Sequence, residues 1–245
     1  MASSYAEVYA RSLGNPQAFW ALAARDVEWV RRPRAVLNDT DVRRASWFPG
    51  GMLNTCYNAL DLHVASGRGE QAALIHESPV TRASRTYSYR EVLDRVARIA
   101  GMLRGLGVEK GDRVLLYMPM LPEAVFGMLA AARIGAIHSV VFGGFASGEL
   151  AQRIQHAAPK VVLTASCGIE PTHRVEYKPL LDAVDMPHAP LERHRVPAVV
   201  AHDALRHARG ARGVEDVEGI LRFDRQAAGR LRARLERLPV RVPVA

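Results

Sequence analysis

The sequence contains few cysteines and no long apolar run. Its 245 residues include two cysteines, Cys56 and Cys167, whose separation matches no metal-ligand spacing. No run reaches the roughly 18 apolar residues that a transmembrane helix needs. The N-terminus has no basic segment followed by an apolar core, which argues against a secretory signal. We therefore expect free thiols, no metal site, no membrane association and a location in the reducing cytoplasm.

Residues 191–245 lack several residue types altogether. They contain no Ser, Thr, Lys, Asn, Met, Trp or Tyr, whereas 12 Arg against 7 acidic residues supply +5 of the net charge of +8. Without hydroxyl groups and lysine, this tail cannot build a phosphate loop that depends on them. With a single aromatic residue and no known nucleic-acid motif, it also gives little support to nucleic-acid binding.

Two interpretations of this Arg- and Ala-rich tail stay open. Its composition is typical of GC-rich DNA translated out of frame, and a genuine appended segment is the alternative. An amphipathic basic helix could form over 227–238, with Leu231, Leu235 and Leu238 on one face. Because its composition breaks so sharply with the preceding chain, we expect residues 191–245 to pack poorly on the rest.

The chain as a whole is apolar enough to form a core, since 49% of its residues are hydrophobic. Residues 1–60 have the pattern of short helices and loops, and one helix is expected to begin at Asn54 or Thr55. The segments 71–78 and 84–89 are expected to pair as β-strands around a turn-rich connection.

From Ser88 onward, helical and extended patterns alternate. Ser88 and Glu91 have the spacing of a capping box, apolar residues then recur every three or four positions, and Gly107 is expected to end the helix. Three apolar strands and two further helices follow, with expected ranges of 113–118, 123–134, 136–142, about 148–158 and 160–166. This alternation predicts an α/β fold with a parallel sheet that helices cover.

Gly143 and Gly144 lie where the second of these strands gives way to a helix that Ser147 could cap. Ligands of parallel α/β sheets bind beyond the carboxyl ends of the strands, and a helix N-terminus can hold a phosphate. A sharp turn without a ligand would also favour glycine. The position at a strand end favours the ligand interpretation, and the segment after Ser166 is expected at the same edge.

Several long segments carry a resemblance to a known family. They are WFPGGMLNTCYNALDLHV, TYSYREVLDRVARIAGMLRGLGVEKGDRVLLYMPMLPEAVFGMLAAARIGAIHSVVFGGF and GIEPTHRVEYKPLL. In these segments the chain, from about residue 5 to 185, resembles the N-terminal part of the AMP-forming short-chain acyl-CoA synthetases. These are the acetyl-CoA and propionyl-CoA synthetases of the adenylate-forming superfamily, and the GIEP and RVEYKP elements are more similar to the propionyl-CoA branch.

The resemblance implies a fold and a reaction. The fold would be a partial doubly wound parallel sheet, the N-terminal portion of the synthetase large domain, with an α-helical N-terminal extension. The domains would be the extension at 1–60, a partial AMP-dependent synthetase/ligase domain at 61–185, and a tail at 186–245 that is not family-like. In the family, ATP and a short carboxylate give an acyl-adenylate and pyrophosphate, and CoA then displaces AMP to form the thioester.

The resemblance also implies a binding site for the CoA nucleotide. Its residues would be Phe142, Gly143, Gly144, Glu170, Pro171, Thr172, His173 and Arg174. The phenyl ring would lie beside the adenine, and the bare glycine backbone would permit close approach. The propionyl-CoA branch reads G-I-E-P-G-R-R, whereas this chain has Thr172 for the second Gly and His173 for the first Arg. A neutral His holds a 3′-phosphate less well than Arg does, so we expect weak CoA binding at most.

The family's ATP-binding and catalytic motifs do not occur in this sequence. They are a T-S-G-T-T-G-x-P-K-G loop, a Y-G-x-T-E motif, a G-R-x-D hinge and a C-terminal catalytic Lys. We therefore expect no catalytic residue, no site for ATP or Mg²⁺, and a truncated synthetase that is inactive alone. The alternative hypothesis is a stand-alone module that binds CoA or a partner and has lost the ligase chemistry. Association with a missing portion of a synthetase is the one macromolecular contact expected.

Overall fold

The computed structural model describes residues 4–141, 143–144, 146–184 and 198–201, and for the last four only the backbone. The described residues fall into two units, with the boundary between Asn58 and Ala59. No helix within these ranges has both the length and the apolar character needed to cross a membrane.

The first unit consists of short helices and loops, as the sequence predicts. Ser4 and Glu7 form a complete capping box at its first helix, and aromatic rings pack on one another along the unit. Its elements are helices α1 (Tyr5–Gly14) and α2 (Pro16–Ala23), one-turn 3₁₀ helices at Ala24–Asp26 and Val42–Arg44, and the antiparallel strands β1 (Leu37–Asn38) and β2 (Ser46–Trp47).

Helical turns and a β-hairpin come next in the sequence. Wide π-type turns at Tyr57–Asp61 and Val64–Arg68 follow the predicted helix start at residue 55. Strands β3 (Ala72–Ser78) and β4 (Ala83–Ser88) then pair antiparallel. This pairing confirms the two strands that the sequence predicts here.

Helix α3 (Tyr89–Gly105) follows directly and has the predicted cap. The Ser88 hydroxyl accepts a hydrogen bond from the Glu91 amide at 3.3 Å, and the Glu91 carboxylate accepts one from the Ser88 amide at 2.8 Å. Gly107, with φ at 82°, ends the helix in the left-handed conformation that glycine adopts without strain. The buried face of the helix has the spacing of an amphipathic helix and consists of Val92, Val96, Ala100 and Leu103.

The centre of the second unit is a parallel sheet. The remaining described elements are β5 (Arg113–Tyr117), α4 (Pro122–Arg133), β6 (Ile137–Val141), α5 (Ser147–Ala157), β7 (Val161–Ala165), β8 (Gly168–Ile169), β9 (Arg174–Val175), α6 (Tyr177–Asp182) and β10 (Ala198–Ala201). The spatial order in the sheet is β10-β7-β5-β6, and every neighbouring pair is parallel. Helices connect β5 to β6 and β6 to β7, which confirms the predicted α/β fold class.

The two inner strands carry the core of this sheet. Every residue of β7 and the last four residues of β5 are buried, as expected for strands of a covered parallel sheet. Helix α4 approaches the sheet closely, because a Cβ added to Gly127 would lie 2.9 Å from a methyl carbon of Leu116. The buried hydroxyl of Thr164 donates a 2.7 Å hydrogen bond to the Tyr117 carbonyl, which satisfies it.

Two sequence-based expectations are wrong in detail. Ser147 does not cap α5, because the helix begins at Ser147 itself and its N-cap, Ala146, makes no side-chain hydrogen bond. Strand β10 lies in the tail that we expect to pack poorly, yet its backbone pairs with β7. Its β-branched Val199 and Val200 favour a strand, and without them the outer side of β7 would be an unpaired edge. The predicted helix over 227–238 lies outside the described residues.

An ion pair ties α4 to the helical turns before the hairpin and gives a stability prediction. Arg133 donates two hydrogen bonds to Asp61, at 2.7 and 2.9 Å, and both side chains are about one-fifth exposed. Asp61→Asn should lower the free energy of unfolding by about 1–3 kcal/mol, because it removes the negative charge that accepts both hydrogen bonds from the largely buried Arg133 guanidinium. Urea unfolding measures the difference.

The matched control is the exposed pair of Asp94 and Arg98, at 2.9 Å on the surface of α3. Asp94→Asn should change the free energy of unfolding by no more than about 0.5 kcal/mol. Equal, small effects of both substitutions would contradict a stabilising role for the Asp61 pair.

Candidate functional site at the carboxyl edge of the sheet

The chain segments that leave β5, β6 and β7 meet at the carboxyl edge of the sheet. The three strands end at Tyr117, Val141 and Ala165. They are followed by residues 118–121, by Gly143-Gly144, and by residues 166–175. Ligands of open α/β sheets bind at this edge. The structure therefore brings together the two segments that the sequence assigns to a ligand.

The second segment is a small β-hairpin that follows β7. Strands β8 and β9 pair antiparallel, with Gly168 opposite Val175 and Ile169 opposite Arg174. The Glu170 amide donates a 2.9 Å hydrogen bond to the His173 carbonyl, which closes the loop between the strands. Residues 170–173 are all exposed. The side chains of this loop can therefore reach a ligand in solvent.

Tyr177 lies beneath both segments. Only 3% of its surface is exposed, and its amide donates a 3.2 Å hydrogen bond to the Ser166 carbonyl. A Cβ added to Gly143 would overlap the Tyr177 hydroxyl oxygen, and a Cβ added to Gly168 would lie 2.7 Å from ring atom Cε2. Both positions need glycine because the tyrosine ring occupies the space that a side chain would fill.

Burial determines the protonation of this tyrosine. Burial, followed by the nearby Tyr117, Glu170 and Cys167, raises the pKa of Tyr177 to about 12. Burial alone raises the pKa of Tyr117, whose ring meets that of Tyr177 edge-on at 5.0 Å between centroids. Both phenols are therefore uncharged at neutral pH, and the base of the site carries no phenolate.

The charged groups of the site lie on the hairpin. The Arg174 guanidinium binds the Glu176 carboxylate at 2.5 Å, and about half of each side chain is exposed. This ion pair, followed by the Cys167 sulfur, raises the pKa of Arg174. Thr172 Oγ1 lies 3.2 Å from His173 Nδ1. Arg174 thus presents a permanent positive charge to solvent, with one carboxylate competing for it.

Ser166 adds a polar group that sequence reasoning did not assign to the site. Its hydroxyl oxygen is buried and has no hydrogen-bond partner among the described residues. A buried hydroxyl without a partner costs free energy, so Ser166 offers an unused donor and acceptor directly after β7.

Tyr177 was also missed, because its contact with Gly143 joins segments that are distant in the sequence.

The described residues that are predicted for CoA lie at this edge of the sheet. Gly143 and Gly144 follow β6, residues 170–173 form the exposed loop, and Arg174 opens β9. The half-exposed positive charge of Arg174 suits a phosphate, whereas the Ser166 hydroxyl is buried. The space next to Gly143, however, is filled by Tyr177. Phe142 lies outside the described residues, and the role of all these residues in CoA binding stays a prediction.

The described residues contain no cluster of the side chains that usually bind a metal ion. Within these ranges no three His, Cys, Asp or Glu side chains come close enough together to hold a metal ion. The expected lack of a site for ATP and Mg²⁺ stays a prediction.

Comparison with family models identifies the class of protein to which this chain belongs. The model described as AMP-binding enzyme matches residues 62–228, and the model described as acetyl-coenzyme A synthetase N-terminus matches residues 5–59. Because the first match alone covers more than half of the sequence, the chain belongs to the AMP-binding enzymes.

Curated relatives narrow this class to the short-chain acyl-CoA synthetases, which confirms the resemblance. Acyl-CoA synthetase short-chain family member 3, mitochondrial, of Homo sapiens is 50% identical over 180 residues, and acetyl-coenzyme A synthetase of Bradyrhizobium sp. (strain ORS 278) is 44% identical over 184 residues. Propionate–CoA ligase of Escherichia coli (strain K12) is 45% identical over 179 residues. These alignments cover 73–74% of this chain and 26–28% of the relatives, so the chain spans about a quarter of their length.

The two kinds of comparison cover different lengths of the chain. The relatives align over 179–184 residues, whereas the AMP-binding match continues to residue 228. The paired strand β10 lies within that continuation. A domain boundary at residue 185 stays a prediction.

The contact between Gly143 and Tyr177 gives a prediction for stability. Gly143→Ala should lower the free energy of unfolding by about 1–3 kcal/mol, because the added methyl overlaps a buried, rigid ring. Thermal and urea unfolding measure the change.

The control is Gly148→Ala, in α5, where an added Cβ meets nothing within 4 Å. That substitution should leave stability unchanged or raise it by up to about 1 kcal/mol. If Gly143→Ala is as well tolerated as Gly148→Ala, the close packing of Tyr177 on residue 143 is wrong.

Proposed function

We propose that this chain carries the CoA-nucleotide edge of a short-chain acyl-CoA synthetase and binds the nucleotide part of CoA there. The supporting observation is that two separate chain segments meet at this edge. The Gly143-Gly144 turn and the 168–175 hairpin, each assigned to CoA by resemblance, lie at one sheet edge and rest on the same buried Tyr177. The family of the chain supplies the substrate class, short carboxylates and CoA, as part of this proposal.

Each group at the edge has a separate task in this proposal. The half-exposed guanidinium of Arg174 attracts the 3′-phosphate, and binding requires it to exchange Glu176 for the phosphate. The exposed loop at 170–173 supplies the backbone amides of Thr172 and His173 and the Thr172 hydroxyl. Gly143 is buried against Tyr177, whereas Gly144 is exposed and lets the nucleotide approach the turn without meeting a side chain.

We further propose that these 245 residues do not carry the adenylation step by themselves. Adenylation requires the charge of the leaving pyrophosphate to be offset, which enzymes achieve with fixed donors, cations and metal ions. By resemblance those groups belong to motifs that this sequence does not contain. Cys56 and Cys167 are both buried and neither forms a disulfide, which supports the proposal of a reducing, cytoplasmic compartment.

Nucleotide binding tests the first proposal. In calorimetric titrations the chain should bind adenosine 3′,5′-bisphosphate more tightly than AMP, because the second phosphate reaches Arg174. Arg174→Ala should abolish this preference, with a loss of roughly ten-fold in affinity for the bisphosphate. Glu176→Gln should raise the affinity about two- to five-fold, because it removes the competing carboxylate from an exposed pair.

Arg98→Ala, on the exposed surface of α3, is the control for loss of one positive charge. It should leave the affinity for the bisphosphate within about two-fold, because salt screens a distant surface charge. Equal binding of AMP and the bisphosphate by the unsubstituted chain, or equal losses in Arg98→Ala and Arg174→Ala, would contradict the assigned site.

Pyrophosphate exchange tests the second proposal. With ATP, Mg²⁺ and propionate or acetate, the purified 245-residue chain should give no exchange above a buffer control. A Gly143→Trp preparation made in parallel measures contaminating host synthetase. Exchange that exceeds both controls would show that these residues form acyl-adenylate and would overturn the proposal.

A further inference from the structure

We propose that Tyr177 is a positioning residue that sets the spacing between the Gly143-Gly144 turn and the 168–175 hairpin. Its ring acts as a spacer beneath the two segments, so that neither can move toward the sheet without the other. The consequence for the nucleotide rests on the proposed function, whereas the spacing itself can be measured without a ligand.

Tyr177 is held at the ends of three adjacent strands. Its amide donates to the carbonyl of Ser166, the residue after β7. Its ring packs edge-on against Tyr117, the last residue of β5, with an angle of 68° between the ring planes. Its hydroxyl lies against Gly143, just beyond β6. A side chain fixed at three strand ends has little freedom to move.

Opposite edges of the Tyr177 ring face different segments. A Cβ added to Gly143 would lie 3.1 Å from Cε1 and from Cζ, in addition to its overlap with the hydroxyl. A Cβ added to Gly168 would lie 2.7 Å from Cε2 on the other edge and 3.5 Å from Pro119. The width of the ring, with its hydroxyl, therefore determines how far apart the two glycines lie.

The spacing matters because the proposed nucleotide contacts come from both segments. Binding groups must be held to within a fraction of an ångström by their supporting residues, and misplacement by about 1 Å can weaken an interaction strongly. Tyr177 is buried and is not expected to touch the nucleotide. Its substitution should therefore act through the positions of the two segments.

The test measures amide hydrogen exchange in the 245-residue chain without ligand. Tyr177→Phe retains the ring and removes the hydroxyl, so the fold is expected to persist. Exchange should become faster in both the 143–144 turn and the 168–175 hairpin, with no change in helix α3. Tyr177→Leu, which removes the ring, should increase exchange further in the same two segments.

Tyr87→Phe is the matched control, because Tyr87 is also a buried tyrosine, 4% exposed, with an edge-on contact to Phe126 at 5.4 Å. Any general loss of stability would appear in this variant too. It should leave exchange in the two segments unchanged. Faster exchange in only one of the segments, in neither, or equally in Tyr87→Phe would overturn the positioning role.

A compensating substitution separates positioning from stability. In Tyr177→Phe, the space left by the hydroxyl borders residue 143, so Gly143→Ala in that background should fill it. The double variant should exchange as slowly as the unsubstituted chain in both segments. Gly143→Ala alone should not show this slow exchange. Exchange in the double variant as fast as in either single variant would count against the spacer.

Titration of the same variants with adenosine 3′,5′-bisphosphate distinguishes this inference from the proposed function. Tyr177→Phe should bind about three- to ten-fold more weakly than the unsubstituted chain, and the double variant should recover most of the loss. If the unsubstituted chain binds no bisphosphate while both segments respond in exchange, the proposed function is wrong and the positioning role is supported. If the bisphosphate binds and Tyr177→Phe changes neither exchange nor affinity, the positioning role is wrong.

Discussion

The packing of one tyrosine ring against two glycines is the contact on which the candidate site depends. Gly143 and Gly168 have no side chains, so the buried Tyr177 can lie under both of the segments that follow β6 and β7. The parallel sheet supplies the frame, because it brings three strand ends to one edge. Since the ring is neutral at physiological pH, it contributes shape, and the charge of the site comes from the exposed hairpin above it.

Sequence reasoning predicted the parts of the fold whose signals are local. The capping box at Ser88, the apolar spacing along α3 and the left-handed Gly107 each depend on residues within one helix. The buried strands of the sheet were predicted because they read as short apolar runs between helices. The carboxyl edge followed from the alternation of strands and helices, since parallel strands place their ends together.

The parts that sequence reasoning missed depend on residues that are distant in the chain. Gly143 was interpreted as bare backbone for a phosphate, whereas the structure shows a tyrosine filling the space beside it. No local pattern marks Tyr177, because its partners follow three different strands. Strand β10 was also missed, because the unusual composition of the tail led to no strand prediction there. Its four residues pair with β7, which is distant in the sequence. Ser147 was a plausible cap by residue type, yet α5 begins at that residue.

The central claim is that one nucleotide site is built from two chain segments at the carboxyl edge of the sheet. The most direct test is a titration with adenosine 3′,5′-bisphosphate in which the backbone amide resonances of the chain are followed. The account predicts that the resonances of Gly143, Gly144 and residues 170–174 shift together and fit a single dissociation constant. Shifts confined to one of the two segments, or centred on another part of the chain, would contradict it.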